Sequence, residues 1–171
     1  MGKFEQIKNK VTSLDEMSQR IREWKQAGEK VVFTNGCFDI LHEGHVTYLA
    51  KAADFGSKLI IAINTDASVK RQGKGEERPI NPESSRALIL AALEFVDGVV
   101  FFNEDTPVSL IESLKPDVLV KGADYDANES DPSNKKYIVG REAMLANGGE
   151  VKTVALVEGF STTNIVKKLK A

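Results

Sequence analysis

Apolar positions along the chain gather into five short, nearly continuous runs. Val31-Val32-Phe33-Thr34 is bounded by Asn35-Gly36, and Leu59-Ile60-Ile61-Ala62-Ile63, Val99-Val100-Phe101-Phe102, Val118-Leu119-Val120 and Val151–Leu156 follow. Dense β-branched and aromatic runs of this kind are the pattern of strands buried on both faces. The intervening stretches are helical. Ser13-Leu14-Asp15-Glu16 has the form of a capping box and predicts a first helix over about residues 14–27, closed by Gly28. Further helices are predicted from Gly44 to Phe55, near Glu83–Phe95, from Thr106-Pro107, over about Lys136–Asn147 and after Ser161. Buried strands alternating with helices predict a doubly wound α/β fold, a five-stranded parallel sheet with helices on both faces. Two stretches break the alternation: Lys70–Pro82, charged and containing Gly and Pro, and the polar Asp124–Lys135. Each follows a predicted strand, where open α/β sheets bind ligands, so each is read either as a lid or as a solvated loop.

Length and charge narrow the reading. A chain of 171 residues is expected to form one domain, 1–171, with an N-terminal helical segment, 1–28, packed on the core. The charges, 23 Lys+Arg against 25 Asp+Glu, net to -2, which lacks the basic excess of a general nucleic-acid binder. Any anion must then meet a local site. The longest apolar run, Ala87–Leu93, is far shorter than the roughly 18–20 residues of a membrane span, so no membrane partner is expected. The start, Met1-Gly2-Lys3-Phe4-Glu5-Gln6, lacks the apolar stretch of a signal peptide, and a single cysteine, Cys37, excludes an intramolecular disulfide. A cytoplasmic protein is expected.

Asn35–His45 joins the first strand to the next helix, where backbone N–H groups and a helix dipole converge on anions. Neither a G-x-G-x-x-G fingerprint nor a Walker loop occurs, so other phosphate chemistry is required. Both histidines of the chain, His42 and His45, fall here, with Gly44 between them. Imidazoles can donate to phosphate oxygens, and such donation strengthens as charge builds up in a transition state. A purely structural pair, or a zinc site with Cys37, would be the alternatives; the spacing matches none of the usual zinc motifs. Near the C-terminus, Ser161 is a good N-cap, and Thr162 and Thr163 add hydroxyls on the first turn. That feature is either a simple cap or a second phosphate-facing helix end.

Gly36-Cys37-Phe38-Asp39 followed by His42-Glu43-Gly44-His45 resembles the G-x-F-D…H-x-G-H signature of the nucleotidyltransferase superfamily that includes the cytidylyltransferases and phosphopantetheine adenylyltransferase. Glu158-Gly159-Phe160-Ser161-Thr162-Thr163-Asn164 resembles that superfamily's E-G-x-S-T-T element. Within it the chain is most similar to the heptose 1-phosphate adenylyltransferases, over about residues 12–170, through Arg78-Pro79-Ile80-Asn81-Pro82, Glu104-Asp105-Thr106-Pro107 and Val120-Lys121-Gly122-Ala123-Asp124-Tyr125 as well. Many such relatives carry a sugar kinase ahead of this domain; 171 residues leave no room for one, so a stand-alone domain is expected. Two departures from the cytidylyltransferase branch favour ATP over CTP: Leu156 stands where that branch has an arginine, and Glu94 replaces the arginine of its Arg-Tyr-Val-Asp. An extra polar stretch, Asp126–Asn134, departs from the heptose enzymes and could reshape the sugar side.

The resemblance implies a Rossmann-like fold and transfer of AMP from ATP to D-glycero-β-D-manno-heptose 1-phosphate, giving ADP-heptose and pyrophosphate for surface glycan synthesis. It implies His42, His45 and Lys74 as catalytic groups, with Lys70 and Arg71 neighbouring Lys74. Gly36, Cys37, Phe38, Glu43, Gly44, Arg86, Lys121, Gly122, Asp124, Gly159, Ser161, Thr162 and Thr163 would hold the nucleotide. Arg86 would otherwise be a surface cation at the unfavourable end of a helix dipole. Asp39 and Asp66 would lie on the sugar side, or serve as turn residues. Mg²⁺ is expected on the triphosphate, held by phosphates and water rather than by a protein metal site. A homodimer would suit the family. Acceptors of the glycerol 3-phosphate cytidylyltransferase or flavin adenylyltransferase type, or nucleotide binding without catalysis, are the competing readings.

Overall fold

A computed structural model describes residues 1–73 and 75–170. In chain order the elements are α1 (Lys3–Lys8), α2 (Leu14–Gln26), β1 (Val31–Gly36), α3 (Glu43–Ala53), β2 (Lys58–Asn64), α4 (Asp66–Arg71), α5 (Glu83–Ala91), β3 (Gly98–Phe102), α6 (Val108–Leu114), β4 (Val118–Gly122), α7 (Arg141–Ala146), β5 (Glu150–Val154) and α8 (Thr162–Lys170). The five strands form one all-parallel sheet in the order β3-β2-β1-β4-β5, a Rossmann-like α/β arrangement. The expected fold class is the one observed.

Side-chain alternation along the strands divides the core in two. Val32, Leu59, Ile61, Ile63, Val118 and Val120 point to one face, where Tyr48 and Leu49 of α3 and Ala87 and Leu90 of α5 cover them. Val31, Phe33, Ile60, Ala62 and Leu119 point to the other, beneath Met17 and Ile21 of α2, Leu110 and Ile111 of α6 and Met144 of α7. Both faces are covered, so β1 to β4 are mainly apolar, while β5 at the sheet edge carries Glu150, Lys152 and Thr153. Ser13 closes a complete capping box with Glu16, its side chain accepting from the Glu16 N–H, and starts α2 at the residue the sequence predicts.

Three helices differ from the sequence reading. α1 is not predicted, and neither is α4, which runs into the first two residues of the Lys70–Pro82 stretch, with the Thr65 hydroxyl capping Ser68 N–H. Each is six residues long, too short for periodicity to mark. α7 begins at Arg141 rather than near Lys136, because Gly140 sits at φ 97, a left-handed conformation that a helix cannot contain. The polar segment before it is locally closed: Asp126 N–H donates to Lys136 O at 2.9 Å, and the Asp126, Asp131 and Asn134 side chains each accept from the backbone two residues on. No described helix is long and apolar enough to cross a membrane.

The strand order reverses direction between β1 and β4. Ligands of such sheets bind outside the carboxyl ends of the strands at this switch point.

Candidate active site

The chain leaves β1 through Asn35-Gly36-Cys37-Phe38 and enters α3 at His42. Phe38 is held at φ 46, a left-handed conformation rare for a bulky side chain, and its ring packs against the site where a Gly36 Cβ would lie, 3.0 Å away. The backbone therefore turns sharply and presents the start of α3 toward β4. His42 is the N-cap of α3: its Nδ1 accepts from His45 N–H at 3.3 Å, which leaves Nε2 as the protonated nitrogen. The two imidazoles stack, with centroids 3.7 Å apart and planes 18° from parallel. Phe38 meets His45 edge-on at 5.2 Å, and Phe160 lies over His42 at 6.2 Å.

Burial pushes the His45 pKa down to about 4, assisted by the His42 charge and partly opposed by the Ile40 carbonyl. That carbonyl lies close enough to favour a protonated ring yet makes no well-formed hydrogen bond, so Nδ1 is buried without a partner. Nε2 is then the nitrogen left for a ligand. Burial lowers the His42 pKa as well. At neutral pH both rings are uncharged, and each carries a single N–H to donate.

A cavity of about 460 Å³ opens at the switch point. Its walls are Gly36, Cys37 and Phe38 from the β1 loop, His42, Gly44 and His45 from α3, Lys121, Gly122 and Asp124 from the end of β4, and Ser161 and Thr162 from the start of α8. Residues more than a hundred positions apart thus share one surface. The Lys121 ammonium donates to Asn35 Oδ1 at 2.6 Å, tying β4 to β1 across the reversal. Ser161 Oγ accepts from Asn164 N–H at 3.0 Å and caps α8 toward the cavity. Tyr48 forms the floor, its hydroxyl bonded to Thr34 Oγ1 at 2.8 Å and Val120 O at 2.9 Å, and burial raises its pKa to about 12. Around the mouth Tyr125, Leu156 and Phe160 expose apolar surface. Asn64, Gln72 and Val157 complete the wall. Asn35, Gln72, Tyr125, Leu156 and Phe160 fall within the segments the sequence reading singled out, whereas Tyr48, Asn64 and Val157 escape it because nothing but the fold brings them together.

A second cavity, about 390 Å³, shares Cys37, Phe38, His45 and Thr162 with the first and adds Asp39, Arg78 and Thr163. Arg78 is missing from the expected site residues, although the Arg78-Pro79-Ile80-Asn81-Pro82 segment is part of the family resemblance.

Several expected site residues lie elsewhere. Arg86 is neither a surface cation nor a lining residue: it is 1% exposed, and it donates to Asn81 O, Cys37 O, Asn64 O and Asp66 Oδ1 at 2.7–3.0 Å. Those acceptors are carbonyls at the ends of β1 and β2 and a carboxylate, and they offset the helix-dipole penalty. Asp66 is correspondingly Arg86's counter-ion and lines neither cavity. Asp39 borders the second cavity, but its side chain is wholly buried and accepts from Arg78 Nε, Ile80 N–H and Asn81 N–H. Three protein donors thus reach its carboxylate. Glu43 is exposed on the first turn of α3, Gly159 turns the chain at φ 85, and neither lines a cavity. Arg71 pairs with Asp105 at 3.1 Å, away from the site. The Asp126–Asn134 stretch also borders neither cavity. Lys74 lies outside the described residues. Cys37 Sγ is within hydrogen-bond distance of Gln72 Oε1 at 3.2 Å, and no three His, Cys, Asp or Glu among the described residues are grouped to hold a metal.

A parallel sheet with a capped histidine pair at its switch point and a hydroxyl-rich helix end opposite is a nucleotide-binding architecture of one particular class. The chain belongs to the Cytidylyltransferase-like family, which it matches over residues 33–168. It is similar to the Bifunctional protein HldE of Pectobacterium carotovorum subsp. carotovorum (strain PC1), 51% identical over 161 residues that make up 94% of this chain and 32% of that protein. The HldE of Geotalea uraniireducens (strain Rf4) is 50% identical over 94% of this chain and 31% of its own length. This chain thus spans about a third of the length of those curated relatives. A solved structure of a lipopolysaccharide core biosynthesis protein from Thermoplasma volcanium GSS1 superposes with a TM-score of 0.58 and 28% identity, covering 76% of this chain and 98% of that one.

Proposed function

We propose that this protein is an adenylyltransferase that moves AMP from ATP to D-glycero-β-D-manno-heptose 1-phosphate, yielding ADP-heptose and pyrophosphate for surface glycan synthesis in the cytoplasm. The observation that carries the reading is the stacked His42–His45 pair at the N-terminus of α3, facing the N-terminus of α8 across the larger cavity. Two helix ends, two neutral imidazole donors, a lysine and several hydroxyls form a local anion site in a chain whose net charge is -2. The half-identical HldE relatives support the heptose assignment, and so does the likeness to a lipopolysaccharide core biosynthesis protein of Thermoplasma.

In the reaction an oxygen of the sugar phosphate attacks the α-phosphorus of ATP. A new P–O bond forms, the bond to the bridging oxygen of the β-phosphate breaks, and pyrophosphate leaves with the electron pair. The attacking oxygen is already ionised, so no general base is required. The chain's work is to orient and to stabilise charge. His45 Nε2 and His42 Nε2 donate to the phosphates at the centre of reaction, and Ser161, Thr162 and Thr163 with the α8 amides hold the departing end. Lys121, Gly122 and Asp124 flank the nucleoside, and Leu156, Tyr125 and Phe160 cover the base with apolar surface, which suits adenine without a cation. Lys74 is assigned a phosphate contact on the resemblance. A Mg²⁺ ion bound to ATP would neutralise charge on the triphosphate; with no grouped acidic ligands among the described residues, phosphates and water would hold it.

Pyrophosphate release tests the reading, with ATP and CTP compared against heptose 1-phosphate, mannose 1-phosphate and glycerol 3-phosphate. The expected result is release with ATP and heptose 1-phosphate at least tenfold above every other pair. Preference for CTP, or silence with all pairs while ATP binds, would overturn it.

A further inference from the structure

We propose that the second cavity is the subsite for the acceptor's phosphate group, with Arg78 as its anchoring cation. This rests on the reading above, that a phosphorylated acceptor attacks a nucleotide beside His45.

Arg78 and Arg86 are the two buried arginines of the structure's described residues, and the contrast between them is informative. Arg86 directs four hydrogen bonds at protein acceptors, reaching through Nε and both terminal nitrogens, and lines no cavity. Arg78 is almost as deep, with 9% of its side chain accessible, yet only its Nε has a hydrogen-bond partner among the described residues. That partner, the Asp39 carboxylate, is completed by the Ile80 and Asn81 amides at 2.9 Å each, while Asn81 Nδ2 donates back to Asp39 O. Asp39 is therefore a positioning residue. It fixes the guanidinium plane from behind, and its own charge is shared among three donors and shielded from solvent. The terminal amino groups are left toward the cavity, in the fork geometry that matches a phosphate bidentately. Neither terminal nitrogen is among the buried polar atoms without a partner, so both remain accessible to a ligand entering this cavity.

The location suits an acceptor. In-line transfer requires the attacking and leaving oxygens on opposite sides of the phosphorus. The two cavities share Cys37, Phe38, His45 and Thr162 and diverge from there, so a nucleotide in the larger one and a phosphate on Arg78 would meet at His45. Phe38, in its left-handed conformation, lines both. Thr163 borders the same cavity from the α8 end, the end assigned to the departing pyrophosphate, so Arg78 is the cation left for the acceptor. The triphosphate tail of ATP is the other source of a phosphate here, and the experiment separates the two.

Inorganic phosphate is titrated into the full chain, with and without saturating ATP analogue, while the Arg78 Nε–H and Asp39 amide signals, both on the second cavity only, are followed by NMR. Kinetics are run on Arg78→Gln and Arg78→Lys, with ATP affinity measured by calorimetry in the absence of acceptor. We expect phosphate to shift both signals even when the nucleotide site is filled. We expect Arg78→Gln to raise KM for the phosphorylated acceptor roughly 10–100-fold, Arg78→Lys to recover part of it, and ATP affinity to stay within about twofold. The proposal is overturned if ATP analogue abolishes the phosphate shifts, if ATP affinity falls in step with acceptor KM, or if neither variant changes acceptor KM. The titration on the unaltered chain decides the matter even if Arg78→Gln fails to fold. Should heptose 1-phosphate fail as an acceptor while phosphate still binds at Arg78, the adenylyltransferase reading falls and the subsite stands.

Discussion

His45 meets phosphate as a neutral ring, because burial holds its pKa near 4 where an exposed histidine titrates at 6.5. The unfolded chain therefore takes up the proton first as pH falls. The stability that His45 contributes is complete above pH 6.5 and is lost progressively toward pH 4, with His42 shifted in the same direction. His45→Ala is expected to flatten the fall in unfolding midpoint across that window and to lower turnover by about 10²–10³-fold, as loss of a transition-state donor does. Turnover near that of the unaltered chain would remove His45 from the chemistry. At this scale the sequence is readable where one residue type has one job: the two histidines, Gly44 between them and Ser161 at a helix start stand out unaided. Asp39, Asp66 and Arg86 show their partners only in the fold, because an ion pair joins residues 20 or more positions apart and sequence shows only an isolated charge.

Among the elements, the N-termini of α3 and α8 carry the site, and their approach depends on a missing side chain. A Cβ at Gly44 would lie 2.9 Å from Phe160 Cβ and 3.1 Å from the His42 ring, although the backbone of α3 would accept an alanine. Gly44→Ala should therefore push the segment before α8 away from α3. The expected outcome is ATP affinity reduced about tenfold or more, with a melting temperature within a few degrees; calorimetry and thermal unfolding check both. Strands and long helices follow from pattern, since burial on both faces makes β1 to β4 apolar runs. The six-residue helices α1 and α4 carry too few turns to show a period, and α7 is shortened by the backbone conformation of one glycine.

Across the whole molecule, Arg86 is the clamp on the β1–β2 side of the site, joining the ends of β1 and β2, the start of α4 and the loop before α5. Arg86→Met would leave three carbonyls and the Asp66 carboxylate without their donor. It should cost about 3–5 kcal/mol of unfolding free energy in urea titration; a loss below about 1 kcal/mol would point back to Arg86 as a nucleotide contact. Local pattern was enough for the parallel sheet, the helix caps and the histidine pair, because periodicity, capping chemistry and motif spacing act over a few residues and are written along the chain. Three-dimensional packing alone settled which residues face one another: the strand reversal that brings Lys121 to Asn35, the burial that lowers the His45 pKa, and the two arginines, one turned inward on protein carbonyls and one left facing a cavity. Those outcomes depend on desolvation and on contacts between distant segments, and neither exists until the chain has folded.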